Sequence, residues 1–470
     1  MVRLQVLGEE GVKQVHGATL RLLSETGIVL THPGARELLL DHGARVAGDR
    51  VFLPADLVES CVARCPHTVR LQGRDPEKAI ELGRGSWYAH NVGGVPNVLE
   101  AGNGTRRPAG RGDVAQAARL LDALTNVSSV TPLFTPQDVP TGLMTLWMYY
   151  DTVTNTTKPI RAPGVQTARE VRALAEMACI ACPDGALTVG VSPISPLTFP
   201  DDIAEAMLEA ARLGMILGPL PCPIMGATAP MSIAGGLTQQ NAEVLASIAL
   251  AQLARPDLPV LYKGRLSVMN PRTGLSVWGN PEIGVISAAT VEIGHHYELP
   301  VDVYGLSTNA HTPDIQSGYE RAFSALVPVL AGADEISGVG EMEGGVTSSL
   351  AQMVIDDEIL SSVGRIRRGF EVDEEALAVK VIAEVMDSSR NFLAEMHTVR
   401  YLRRGEVLQP RLAGRDNWAE WEAAGRRGLV ERAEERALEL LADHEVPPLS
   451  EEQQAGLREV IRAAERRADR

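Results

Sequence analysis

Short apolar runs recur through the middle of the chain, each followed by glycine, proline, serine or asparagine and then by apolar positions at helical spacing. They are WYAHNVG (87–93), SSVTPLF (128–134), PIRAPG (159–164), LTVGVSP (187–193), MILGPLP (215–221), VLYKGR (260–265), VDVYGLS (301–307) and EISGVG (335–340). Strands that alternate with helices argue for parallel βαβ units. Eight of them over this length match a closed (β/α)8 TIM barrel. An open doubly wound sheet would carry a glycine-rich phosphate turn after its first strand. VGGVPN lacks the GxGxxG spacing, and a hairpin-like excursion, VPNVLEAGNGTRR, follows instead.

The flanking regions read differently. Residues 1–85 are expected to form an N-terminal helical layer with short extended pieces. VHGATLRLLSETG stops at Gly27, and LPADLVESCVARCP has Asp56 near its first turn and Pro66 past its end. Residues 86–345 hold the barrel core. Within it, IAGGLTQQNAEVLASIALAQLAR shows a stripe of Leu237, Val244, Leu245, Ile248 and Leu253 before Pro256, and a later helix stops at Gly332. Residues 346–470 read as a wholly helical C-terminal extension. Its charged amphipathic stretch NWAEWEAAGRRGLVERAEERALELLADHE suits a solvated layer or a subunit contact.

Composition narrows the function. The formal net charge is −16, from 60 acidic and 44 basic residues, which argues against a broad footprint for nucleic acid or an anionic membrane. No run of 18 apolar residues occurs and the N-terminus lacks the apolar core of a signal peptide, so a cytoplasmic location is expected. Cys61/Cys65 and Cys179/Cys182 have tempting spacings, but neither has a second ligand pair, and no HExxH-like histidine spacing is present. No tightly bound metal is expected.

In such barrels the active site lies at the carboxyl ends of the strands. The residues there include Tyr88, His90, Asn91, Phe134, Arg161, Cys222, Lys263, Arg265, Tyr304, His311, Glu341 and Glu343. Aromatics are only 4% of the chain, so their presence at several strand ends, with Trp278 nearby, suits a quaternary ammonium ligand. Such a ligand has no N–H donor and is held by ring faces and carboxylates. Tyr88, Asn91, Phe134, Lys263, Tyr304, His311 and Glu341 are therefore the expected substrate-binding residues. Lys263 and His311 would anchor a carboxylate, and Tyr262, one residue before Lys263, should point outward. The small-residue loop PCPIMGATAP opens into a helix, and Gly226 and Thr228 there, with Asn309 and Asp314, are the expected cofactor contacts. No residue is assigned as a catalytic acid or base.

The ordered set GATAPMSIAGGLTQQNAEVLA, LPVLYKGR, GNPEIGVISAATVEI and PDIQSGYERAFSALVPVLAGADEI resembles the trimethylamine methyltransferase superfamily, as do NGTRRPAGRGD, TNTTKPI, MVIDDEIL and the element His397–Arg400. The resemblance implies a (β/α)8 enzyme that demethylates an amine in complex with a small corrinoid-binding protein. The founding branch carries pyrrolysine, whereas this chain has only standard residues. The resemblance therefore points to the non-pyrrolysine branch, some of whose members use quaternary amines such as glycine betaine. The corrinoid (cobalamin) would come from the partner protein, since no DxHxxG signature is present; a homo-oligomer is expected. Two other readings remain open: a Schiff-base lyase or aldolase-type barrel using Lys263, and a non-catalytic betaine-binding barrel.

Overall fold

A computed structural model describes residues 2–468 apart from Asn103 and Ser389. The chain is a mixed α/β structure in which the eight apolar runs pair in chain order. Strands Tyr88–Asn91, Thr188–Val191, Ile216–Pro219, Tyr262–Gly264, Val301–Tyr304 and Glu335–Val339 are joined by two briefer segments, at 129–130 and 160–161. His90 pairs with Ser129, Val130 with Ile160, Arg161 with Thr188, and Leu217 with Val260. The fourth run pairs with the fifth, the sixth with the seventh, the seventh with the eighth, and the eighth with the first. Each of these pairings is parallel.

A helix follows each run, from Arg111–Ala123 after the first to Leu350–Arg368 after the eighth. These strands are covered by helices and read as near-continuous apolar runs, as parallel strands buried on both faces must. The helix Ile315–Ala331 ends at Gly332, in the left-handed conformation that spares glycine a steric cost. The helix Ile233–Ala254 is buried on nearly all sides, because Gly8–Arg21 and Ala55–Val62 pack over its outer face. A single stripe read from its sequence understates that burial. The register of the eighth strand shifts between Ser337 and Val339. At the shift, Gly338 has φ +123°, and a Cβ there would lie 1.9 Å from the carbonyl oxygen of Gly305.

The flanks contain more strand than the sequence suggests. Ile28–Leu30 pairs with Arg50–Phe52 and, across the chain, with Thr198–Phe199. The hairpin Val69–Leu71 and Ile80–Leu82 packs against Ile216, Leu261 and Tyr88 and covers the amino ends of the central strands. The stretch after 345 is not helical throughout: Thr347–Ser348 pairs with Glu341–Met342 and with Asn97–Leu99, and so covers the edge of the 97–108 hairpin. Among the described residues, no helix is long and apolar enough to cross a membrane.

The last two helices of the central unit are tied by a buried ion pair. Arg321 and Asp356 have no exposed side-chain surface and meet at 2.9 Å; Arg321 also donates to the Leu306 carbonyl, and Asp356 accepts from the Gly340 amide at 2.7 Å. Burial nonetheless raises the Asp356 carboxyl to about 6. Removing the guanidinium strands a buried carboxylate, so Arg321→Met should destabilise the fold by about 3–5 kcal/mol. Thermal melts should show the loss, and Arg321→Met combined with Asp356→Leu should recover much of it.

Candidate functional site

Side chains alternate along a strand. Lys263 and Arg265, Asp302 and Tyr304, and Glu335 and Ser337 therefore share one side within each pair, and these, with His90 and Arg161, converge at one end of the parallel strands. Asp302 is the hub. Its carboxylate lies 2.9 Å from Lys263 Nζ, 2.9 Å from Arg265 Nη2 and 3.3 Å from His90 Nε2, with Arg161 Nη1 at 3.9 Å. Glu335 is bonded by Arg161 and accepts from the Ser129 hydroxyl at 3.0 Å. Arg265 also donates to the Ser337 hydroxyl at 3.0 Å.

Charge in this cluster is unequal. Three basic side chains face two carboxylates, all buried. Burial pushes Lys263 down to about 8, against the pull of Asp302, and pushes His90 down to about 4, so the imidazole is neutral at pH 7. Burial opposes the charge on Asp302 as well, yet Arg265, Lys263 and His90 hold its carboxyl well below the usual range. Arg161 Nη1 is buried without a hydrogen-bond partner. A buried guanidinium nitrogen in that state marks a place where an acceptor is missing.

Above the cluster lies a cavity of about 410 Å³, lined by His90, Arg161, Lys263, Arg265, Trp278 and Tyr304 among others. The Trp278 and Tyr304 rings meet edge to face, with centroids 4.8 Å apart. Asn309 holds Trp278 in place by accepting from the Trp278 and Gly279 amides at 2.7 and 2.8 Å. Glu341 is fully buried beside Tyr304, with neither carboxylate oxygen in full hydrogen-bond geometry. Burial raises it to about 8, so it is neutral at pH 7 although Tyr304 and Arg321 favour its ionised form. Gly93, Gly94, Gly344 and Gly345 also line the cavity and leave that part of its wall free of side chains.

His90, Asp302 and Glu335 bring one ligand atom each within 4.8 Å of one another. A divalent ion there would have to displace the lysine and arginines already on both carboxylates, so the donor set does not suit one.

Of the residues expected from sequence, Lys263, Asn91 and Tyr304 line this cavity. Asn91 spends its side chain on the Thr131 backbone, donating to its carbonyl at 2.6 Å and accepting from its amide at 3.0 Å. Tyr88 faces the hairpin at the opposite strand ends. Phe134 lines a separate cavity of about 620 Å³ beside the 97–108 hairpin. His311 is exposed and outside the cavity lining, so the cationic neighbours of Lys263 are Arg161 and Arg265. Gly226 and Thr228 belong to a tight loop in which the Thr228 hydroxyl accepts from the Ile224 amide at 2.8 Å, and Asp314 caps the helix Ile315–Ala331. Tyr262 does point away, donating from its hydroxyl to Asn241 at 2.8 Å. Asp302, Glu335 and Ser337 escaped the sequence reading. The signal was present, as a carboxylate between two valines in a buried strand needs a partner.

A family model described as trimethylamine methyltransferase (MTTB) matches residues 1–469. The chain belongs to the trimethylamine methyltransferase family. It is 31% identical to trimethylamine methyltransferase MttB of Desulfitobacterium hafniense, over 97% of this chain and 93% of that protein. It is 28% identical to the glycine betaine methyltransferase of D. hafniense strain Y51, over 98% of this chain and 97% of that protein. The crystal structure of the Methanosarcina barkeri monomethylamine methyltransferase (MtmB) superposes with a TM-score of 0.52 at 14% identity, covering 93% of this chain and 87% of that one. At that identity the likeness concerns the fold.

For this family member, Asp302→Asn keeps the shape but removes the charge that raises Lys263. Lys263 should then titrate below about 8, read from the pH dependence of its amine labelling, and the fold should lose about 3–5 kcal/mol as three cations face one carboxylate.

Proposed function

We propose that this protein is a (β/α)8-barrel enzyme that transfers a methyl group from a quaternary ammonium compound bearing a carboxylate to the corrinoid of a partner protein. The barrel reading is supported by the parallel pairings that run from the first segment to the eighth and back to the first. The substrate reading rests on one observation: the cavity joins a buried, cation-rich cluster with an unpartnered Arg161 nitrogen to an aromatic pair, Trp278 and Tyr304.

The two halves suit the two ends of a betaine. A carboxylate entering beside Arg161, Lys263 and Arg265 would supply the missing acceptor and offset the surplus charge, each charge-assisted hydrogen bond contributing about 1.5–3 kcal/mol. Its ammonium, only a few bonds away, would meet the rings of Trp278 and Tyr304. A trimethylammonium ion without a carboxylate would face the same cations with nothing to offset them. A reduced Co(I) corrinoid, when docked, supplies the nucleophile that accepts the methyl group. The side-chain-free glycine wall of the cavity, with Gly94 and Gly345 in left-handed conformations, fits close approach by a flat macrocycle. As the C–N bond breaks, its electron pair stays on nitrogen and the amine leaves neutral, so no proton has to move. That accords with a site whose histidine is neutral and bonded to Asp302. The chain's own work is to orient the substrate and exclude water.

The shifted Lys263 also recommends itself as a Schiff-base amine. Its ammonium, however, is the partner of Asp302, and consuming it would leave that carboxylate with less support.

Anaerobic incubation with Co(I) cobalamin tests the substrate directly. Glycine betaine should bleach the Co(I) spectrum and trimethylamine should not; robust demethylation of trimethylamine with no activity on any betaine overturns the proposal. A pH profile isolates Lys263. Its charge is present below about 8 and lost above it, so betaine KM should rise as pH passes through about 8. Lys263→Arg, which stays charged, should flatten that limb even though Glu341 still titrates nearby.

A further inference from the structure

Part of the site cavity is left over once both ends of a betaine are seated. The groups that would hold those ends lie on one side: Lys263 and Arg265 come from the sixth strand, Tyr304 from the seventh, and Trp278 from the connection between them. The opposite side, built on the third to fifth strands, is neutral. Ala162, Pro163, Gly190, Leu220 and Cys222 line it, and Arg161 turns its guanidinium away to Glu335. At about 30 Å³ for each water-sized group, a cavity of about 410 Å³ has room for on the order of a dozen non-hydrogen atoms. Glycine betaine has fewer, and none to place on the neutral side.

The fourth strand, Thr188–Val191, shapes that space. Thr188, Gly190 and Ser192 all line the cavity, because alternate residues share one face. Gly190 pairs with Gly218 on the fifth strand, yet the two glycines serve different ends. A Cβ on Gly218 would lie 2.5 Å from Lys263 Cε, so that glycine makes way for the lysine. A Cβ on Gly190 would meet nothing within 4 Å, and its backbone is not left-handed. The space beside Gly190 therefore serves no side chain of this protein. It lies level with the Lys263 stem, beneath the strand ends, and across from the glycine wall of the first and eighth strands. A macrocycle docked at the mouth does not fill it. Below the gap, Thr188 is 2% exposed and its hydroxyl is buried without a hydrogen-bond partner. A buried hydroxyl in that state marks a place for a polar group of a ligand.

We infer that this neutral side is a subsite for a side chain on the carbon between the substrate's two charges, with Gly190 setting its size and Thr188 its polarity. The inference rests on the betaine reading above and narrows it: the substrate is the betaine of a small hydroxylated amino acid. With its carboxylate among the cations and its ammonium on the rings, such a molecule turns its hydroxymethyl group toward the fourth strand. Glycine betaine, with only hydrogen in that place, uses the charged side alone.

Titration calorimetry of the full chain, without corrinoid, tests this with glycine betaine, N,N,N-trimethylalanine and N,N,N-trimethylserine, the chiral compounds as both enantiomers. One enantiomer of trimethylserine should bind about tenfold tighter than glycine betaine, the gain that filling a pocket of this size allows. Gly190→Val, whose branched side chain suits a strand, should weaken trimethylserine about tenfold relative to glycine betaine. Thr188→Val keeps the shape and removes only an unpartnered hydroxyl. It should narrow the gap between trimethylserine and trimethylalanine by about three- to tenfold. Glycine betaine binding as tightly as both substituted compounds, Gly190→Val weakening all three alike, or Thr188→Val leaving the gap unchanged overturns the inference while the betaine reading stands. If none of the three binds, the betaine reading fails and the subsite falls with it.

Discussion

Three basic side chains converge on Asp302, a carboxylate with no exposed surface, and the site is organised around keeping that arrangement in place. Burying charge is expensive, and an ion pair withdrawn from water is held only if its remaining donors and acceptors are met. Most are met here by neighbours on the next strand but one: Ser337 for Arg265, Ser129 for Glu335, and His90 for Asp302, while Arg161 Nη1 is left without an acceptor. Parallel register makes this work, because Lys263, Asp302 and Glu335 are directly paired across three strands. A slip of one residue on any of them would turn a charged side chain toward the helices.

The same alternation divides labour within a strand. Lys263 reaches the cavity while Tyr262 reaches back to Asn241 on the helix Ile233–Ala254, which the N-terminal helices cover in turn. The outer layers therefore bear on the chemistry indirectly. They fix the helix that fixes Tyr262, and so the direction in which Lys263 points. On the opposite side, Arg321 and Asp356 bind Leu306 and Gly340, the residues just past the seventh and eighth strands, and so hold the backbone that carries Glu341.

Much of this was legible in the chain. The eight apolar runs, the stop at Gly332 and the hairpin after the first strand are local patterns, and local patterns survive translation into structure. The ordered motifs located the family, and strand ends located Lys263 and Tyr304. What failed depended on tertiary geometry. Tyr88 lies two residues before His90 on the same strand, but the hairpin 69–82 occupies its end of the strands. His311 follows the seventh strand closely, yet its loop runs out to the surface. Asp302 and Glu335 were passed over as parts of apolar runs, when a charge inside such a run was the most informative feature in it.

Glu341 shows how the two halves of the cavity are coupled. Kept neutral by burial, it adds nothing to the two carboxylates that face three cations, so the cluster keeps a surplus of positive charge. A cation seated against Tyr304 would reverse the local balance, since an ammonium near a buried carboxyl favours its ionised form. Under the betaine reading, the carboxylate end of the ligand then stabilises the protonated Lys263 and the ammonium end stabilises ionised Glu341. Each end supports a charge that burial alone disfavours. On that reading, a ligand with only one of those ends would satisfy one group and leave the other as burial sets it, so a molecule carrying both charges would be preferred.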